Sequence, residues 1–279
     1  MRLLEGEIVT YQGVAYIVKG YQHPDGHVIA YPRYDIVTGK KILDISLGKA
    51  TFAYWDCIKQ FVPMLPIDKV FEYQARLPLG RESSTVISTM SALLDLDPSN
   101  IYLTGSSIFQ DTYNDVDLVI YGSNEELVER LRSLIEKGVL RRAGEETLVK
   151  EYFSKHSDKL GLMDYLNLKK STILHLEVNG IHVNLKLYRF KQGFQTCREM
   201  VFQVKNYSGP VSVKKSLTPH LTPSLYIVEL KNVGTIFMET HREVYCELQE
   251  GEYLVKEGRI EVREKDLFLV PDKGVLRPL

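Results

Sequence analysis

Two aspartates, Asp115 and Asp117, open a run in which Val116, Leu118 and Ile120 alternate with other residues. A period of two belongs to a β-strand, and side chains two apart on a strand leave the same face. Any fold of this chain must therefore hold two carboxylates side by side at the start of a strand whose opposite face is apolar. Like charges at that spacing repel unless a cation lies between them. Magnesium takes oxygen ligands, commonly one or two carboxylates together with phosphates and water. A strand-borne D-x-D is a template for it.

Just upstream, Ile101-Tyr102-Leu103-Thr104 reads as a short strand that ends in Gly105-Ser106. Glycine lets a backbone approach a ligand closely, because it has no Cβ. The hydroxyls of Ser106 and Ser107, with nearby backbone N–H groups, suit phosphate oxygens. Alone, a Gly-Ser pair after a strand is an ordinary turn, and a lone D-x-D is an exposed strand edge. Together, with a helical stretch before them at Val86–Leu94, they are the equipment for phosphoryl or nucleotidyl transfer. That chemistry consists mostly of positioning and charge neutralisation.

Gly105-Ser106 followed by Asp115-Val116-Asp117-Leu118 resembles the Gly-Ser…Asp-x-Asp signature of the DNA polymerase β-like nucleotidyltransferase superfamily. Within it the chain is most similar to an archaeal group of predicted nucleotidyltransferases, through His23–Tyr34 and Asp117–Gly122. The resemblance implies a magnesium-dependent transfer of a nucleoside monophosphate from a nucleoside triphosphate to an acceptor hydroxyl. It implies that Asp115 and Asp117 hold the metal and that Gly105, Ser106 and Ser107 lie against the triphosphate. The acceptor is left open between RNA, a protein side chain and a small molecule. The chain departs from the pattern in two ways. Only eight residues separate Ser106 from Asp115, and Ile108, Phe109 and Gln110 stand where a basic residue often follows the Gly-Ser pair. The third carboxylate of the family is also missing from its expected strand.

That strand is Ile181–Tyr188, joined to Leu174–Val178 through Asn179-Gly180, a strong hairpin signal. Ile181, Val183, Leu185 and Leu187 form its apolar side, and His182, Asn184, Lys186 and Tyr188 its polar side. Asn184 stands where the third acid is expected. On the partner arm, Glu177 is the acid placed to substitute for it as a catalytic residue. Lys186 supports two roles, a nucleotide contact or an ammonium lying between Asp115 and Asp117. The second describes a core that has lost catalysis and binds nucleotide, RNA or a protein partner without turnover.

Around this centre the composition shifts twice. Residues 1–63 carry short β-branched and aromatic runs between turn residues and read as a β-rich domain. Residues 64–192 read as the nucleotidyltransferase-like core. Helices are expected after Pro66 from Ile67 to Arg76, after Glu82-Ser83-Ser84 to about Leu94, over Glu125–Glu136 behind an Asn124 cap, and over Glu145–Lys155. Residues 193–279 are β-rich again, and five short runs, Tyr226–Val228, Val244–Cys246, Tyr253–Val255, Ile260–Val262 and Leu267–Val270, suggest a small barrel or sandwich. The expected class is α+β, a mixed sheet with helices flanked by two β-rich segments. Net charge is near −1, so there is no bulk attraction to nucleic acid. No apolar run is long enough to span a bilayer, and the first residues are too polar for a signal peptide. The three cysteines, Cys57, Cys197 and Cys246, include no C-x-x-C pair. They predict neither a zinc site nor a disulfide framework, and point to a reducing cytoplasm.

Overall fold

The structure is a computed structural model that describes residues 1–42, 44, 48–73, 81–109 and 115–279. Its strands and helices, in chain order, begin with β1 (Ile8–Tyr11), β2 (Val14–Val18), β3 (His27–Asp35), β4 (Thr51–Trp55), β5 (Gln60–Pro66) and β6 (Phe71–Glu72). There follow α1 (Arg81–Leu94), β7 (Ile101–Thr104), β8 (Val116–Tyr121), α2 (Glu125–Glu136), β9 (Arg141–Arg142), α3 (Glu145–Lys155) and α4 (Leu162–Lys169). The chain continues through β10 (His175–Val178), β11 (Ile181–Tyr188), β12 (Val201–Ser216), β13 (Leu221–Thr222) and β14 (Ser224–Leu230). It ends with β15 (Gly234–Thr240), β16 (Gly251–Arg263), β17 (Leu267–Val270) and β18 (Val275–Pro278). Among the described residues, no helix is long and apolar enough to cross a membrane.

The chain divides into two compact units, where composition divides it into three consecutive segments. The first unit joins Met1–Gly122 to Val178–Met200, and the second joins Ser123–Glu177 to Val201–Leu279. Each unit is therefore assembled from two separated stretches.

In the first unit, β4-β5-β3-β2-β1-β6 form one antiparallel sheet. Its core gathers Val9, Tyr16, Val18, Val28, Ala30 and Leu65, all fully buried. The helix expected from Ile67 is corrected. Only a single 3-10 turn forms at Ile67–Lys69, after which Phe71 and Glu72 pair with Thr10 and Val9. The start signal of Pro66 is real, but the backbone of β1 offers a better partner than an isolated helix turn. Residues 74–76 of that expectation lie outside the described residues. A second sheet in this unit sets β7 antiparallel to β8 and β8 parallel to β11. The turn before β11 is as expected, with Asn179 and Gly180 both left-handed at φ 53° and 79°.

The polar side expected on β11 is a covered face. Asn184 and Tyr188 are buried on it, as Val183, Leu185 and Leu187 are on the other. Tyr188 packs with Leu4, Tyr21, Val119 and Tyr121, so the N-terminal residues roof this part of the sheet. Cys57 and Cys197 form a disulfide across 140 residues of sequence, with Cα atoms 5.7 Å apart. This corrects the expectation of no disulfide and removes the cysteine argument for a reducing compartment. The pairing depends on the fold bringing the turn after β4 to the segment after β11, which spacing alone does not reveal.

In the second unit, Asn124 caps α2 by accepting from the Leu127 N–H at 3.0 Å. Helix α3 occupies the expected residues, whereas α4 follows Gly161 without a cap signal. Strands β12, β14, β15, β17 and β16 close into a barrel through the long β12–β16 pairing, and β18 adds to β16. Tyr226, Val228, Met238, Val255, Leu269 and Leu276 fill its interior. Two of the expected runs, at Tyr253 and Ile260, belong to the single strand β16, and Val244–Cys246 overlaps a 3-10 turn. The barrel outcome thus rests on strands that periodicity partly missed.

Candidate functional site

The register of β7 with β8 places Thr104 opposite Asp117. One residue further on, Gly105 turns the chain away at φ 77°. A Cβ at Gly105 would overlap the carboxylate of Asp117, with Cγ only 2.9 Å away. The Gly-Ser bend and the second aspartate are therefore in direct contact, and only glycine permits it. Ser106–Ile108 then form one 3-10 turn, closed by the Phe109 N–H donating to the Ser106 carbonyl at 2.9 Å. Ser107 is buried, and its hydroxyl turns back toward the Thr104 carbonyl at 3.4 Å. Ser106 is partly exposed. The bend is held from the N-terminal sheet. Tyr34 stacks on Phe109 with ring centroids 4.4 Å apart, and Tyr73 meets the same ring at 4.9 Å. Gly39 lies so close to the Phe109 carbonyl that a Cβ there would come within 2.9 Å.

The parallel pairing of β8 with β11 sets Asn184 opposite Asp117. Its Nδ2 donates to Asp115 Oδ2 at 2.7 Å and to Asp117 Oδ1 at 3.0 Å. One carboxamide thus bridges both acids. Its own Oδ1 is buried and has no hydrogen-bond partner among the described residues. Asn184 consequently completes the group that sequence reasoning centred on two aspartates.

Lys186, expected either as a nucleotide contact or as an ammonium between the aspartates, reaches the N-terminal segment. Its Nζ lies 3.0 Å from Glu5 Oε1. Glu5 is buried, and it also takes Lys19 Nζ at 2.6 Å and the Gly20 N–H at 2.8 Å. The segment bearing Glu5 is fixed across the sheet face. Tyr121 donates to the Glu5 carbonyl at 3.1 Å, and Thr104 donates to the Gly6 carbonyl at 3.0 Å. Gly6 sits against Val119, where a Cβ would come within 2.8 Å of Cγ2. Glu5 and Lys19 were not legible as site residues, because nothing in their local sequence links them to β11. Burial pushes the Tyr34 phenol above its usual range against the pull of Arg33, while Asp117 and Asp115 push the same way. Tyr34 is therefore within the fields of both the guanidinium and the two acids.

Glu177 lies in the second unit, exposed on β10 and in register with Arg141 of β9. That unit holds a separate group of buried charges. His175 places Nδ1 3.0 Å from Glu151 and Nε2 3.1 Å from Glu243. Burial and the Lys169 ammonium act against a charged ring, but hydrogen bonds to the two carboxylates bring its pKa up to about 9. Nearby, Glu247 accepts from the Thr172 hydroxyl at 2.6 Å and the Ile173 N–H at 2.8 Å, with Lys169 Nζ at 3.5 Å and His220 Nδ1 at 3.2 Å. Each buried charge therefore has an opposite one beside it, as burial requires.

The geometry of the first unit presents oxygen-rich side chains of one kind at one point: two carboxylates and a carboxamide beside a glycine bend. Compared with known protein families, with curated proteins and with solved structures, the chain matches none of them.

Proposed function

We propose that the first unit carries a nucleotidyltransferase-type site of the polymerase β-like kind, acting on a nucleoside triphosphate with magnesium. The observation that carries this reading is the convergence of Gly105, Asp115, Asp117 and Asn184 on one point of the β7-β8-β11 sheet. The donor set fits magnesium, since all three side chains offer hard oxygens. The buried Asn184 Oδ1 has no hydrogen-bond partner among the described residues, and a rotation of the carboxamide exchanges it with the amide nitrogen that now faces both acids. Asp115, Asp117 and Asn184 would hold the ion. Bound there, it would neutralise phosphate charge and favour ionisation of an acceptor hydroxyl. Gly105 lets the Asp117 carboxylate lie directly against the bend, and the partly exposed Ser106 would offer its hydroxyl to a phosphate oxygen there. Asn184, being neutral, orients ligands but is a poor base. The reaction is transfer of a nucleoside monophosphate to an acceptor hydroxyl with loss of pyrophosphate.

A second reading has its own observation. The amide of Asn184 bridges both acids. A core that binds nucleotide, RNA or a protein partner without turnover would look the same. Incubation with α-labelled nucleoside triphosphates and magnesium separates the two readings. Label transfer that disappears in Asp117→Ala supports the enzyme. Nucleotide binding without transfer in the wild-type protein supports the binding module, and no nucleotide affinity at all removes both.

A further inference from the structure

The outer hairpin of the first unit, β4 with β5, turns an aromatic face to solvent. Tyr54 stands opposite Phe61, and Phe52 opposite Pro63. Phe52 is 50%, Tyr54 48% and Phe61 66% exposed, and the Tyr54 and Phe61 rings meet at 5.3 Å. The hairpin does not need this face in order to fold. Its other side packs Ala53, Trp55, Val62 and Met64 into a cluster with Ile29 and Tyr31. β4 is also the end strand of its sheet among the described residues. Pro63 has no N–H to donate, so its pairing with Phe52 is the kind that exchanges no hydrogen bonds. By alternation, Phe52 and Tyr54 both turn their N–H and C=O groups away from β5.

Strands at sheet ends are normally guarded against pairing with another chain. β9 consists of Arg141 and Arg142, β6 carries Glu72, and β18 carries Arg277 and Pro278. β7 is uncharged but has no exposed residue. β4 reads Thr51-Phe52-Ala53-Tyr54-Trp55, with no charge, no proline and no bulge. The strand is self-complementary as well. A second copy laid antiparallel about Ala53 sets each Phe52 against the partner's Tyr54. The outward N–H and C=O groups of those two residues then bond reciprocally, and their rings pair across the strands on one face. Ala53 meets its own copy at the axis, where a pair without hydrogen bonds brings Cα atoms to about 4.5 Å and a small side chain fits. No charge near the axis meets its like, as a twofold contact requires. We propose that β4 pairs with β4 of a second copy of this chain, joining two N-terminal sheets into one. Three half-exposed rings offer roughly 300 Å² per copy, short of the roughly 800 Å² of a standard interface, so the dimer is weak. The proposal is independent of the reading of Asp115 and Asp117.

The test is sedimentation velocity on the full chain from about 1 to 500 µM, with thermal melts to check folding. Wild type is expected to dimerise with a Kd of about 10–100 µM. Phe52→Lys and Tyr54→Lys, both at exposed positions, each bring like charges to the axis and are expected to weaken the dimer about tenfold or more. Phe153→Lys, at an exposed aromatic of α3 in the second unit, is expected to leave it unchanged. Crosslinking reads the register directly and decides if the lysine variants melt lower. Under a mild oxidant Ala53→Cys should form a covalent dimer, whereas in Thr51→Cys the two sulfurs start about 13 Å apart along the strands and should not. Wild type that stays monomeric throughout overturns the proposal and leaves the open strand to an extended segment of another protein. A dimer that both lysine variants leave intact, one that Phe153→Lys weakens equally, or crosslinking through Thr51→Cys but not Ala53→Cys, overturns it too.

Discussion

Gly105 carries no side chain at the point where the carboxylate of Asp117 lies against its backbone. The bend after β7 and the strand β8 are thus locked to each other at the one place where the acids begin. The same glycine sits at φ 77°, which an L side chain rarely adopts. Gly105→Ala therefore meets two obstacles together. It is expected to cost about 1–3 kcal/mol in stability and to displace the Asp117 carboxylate. Thermal melts check the first effect. Calorimetric titration with magnesium or manganese checks the second, where an unchanged affinity would separate the bend from the acids.

Replacing the bridging carboxamide changes the balance between the two functional readings. Asn184→Asp removes the donor that joins Asp115 to Asp117 and puts a third anion beside them. In chelator the variant is expected to melt lower than wild type, since three like charges repel at the edge of a covered face. With manganese added, the order reverses and cation affinity rises about tenfold or more. A variant that melts lower and gains nothing from any divalent ion would remove the metal reading.

The disulfide is a stability element that a reducing agent reaches. Cys57 is buried and Cys197 partly exposed, and their bond ties the β4–β5 turn to the segment after β11. Closing so long a stretch of chain is expected to contribute about 2–4 kcal/mol. Cys57→Ser should melt lower than the oxidised wild type, and reduced wild type should match it. Cys246 lies outside the bond, so Cys246→Ser should keep the full drop in melting point on reduction. Equal melting points with and without reductant would refute this.

His175 makes the second unit sensitive to alkali. Its pKa lies at about 9 in the folded chain against an ordinary value of 6.5. A raised pKa means that the folded state binds the proton more tightly than the unfolded one. The stabilisation is complete below about 6.5 and is lost as pH rises through 9. The melting temperature is expected to fall between pH 7 and 10, with the ring losing its proton over the upper part of that range by NMR. His175→Gln should melt lower at pH 6 and vary less over the same interval. A ring that titrates near 6.5 would show that Glu151 and Glu243 do not hold it charged.

Much of the site was legible because its residues speak locally. The alternation from Val116 to Ile120 marks a strand, Gly105 marks a bend, and Asn179-Gly180 marks a tight turn, each within a few residues. The place of Asn184 followed from counting alternate positions along β11. The path of Lys186 did not, since its partner Glu5 lies 181 residues away and only the fold brings them together. Cys57 and Cys197 were missed for the same reason. Among the helices, α2 announced itself through Asn124, while α4 starts at Gly161 with no capping side chain. The run Val244–Cys246 forms no strand, because three apolar residues suit a buried 3-10 turn equally well. Lys169 is buried beside Glu247, a pairing that no local pattern shows, since sequence gives a charge but not its counter-ion.

The chain leaves the first unit at Gly122 and re-enters it at Val178. On the ribosome, β7 and β8 emerge more than fifty residues ahead of the strand that pairs with them, so the aspartates wait unbridged while other segments are made. Cutting the gene at a compositional border would leave each half without a strand or a lid it needs. An isolated first unit of this protein would have to be built as a splice, with Gly122 joined to Val178 through a short linker.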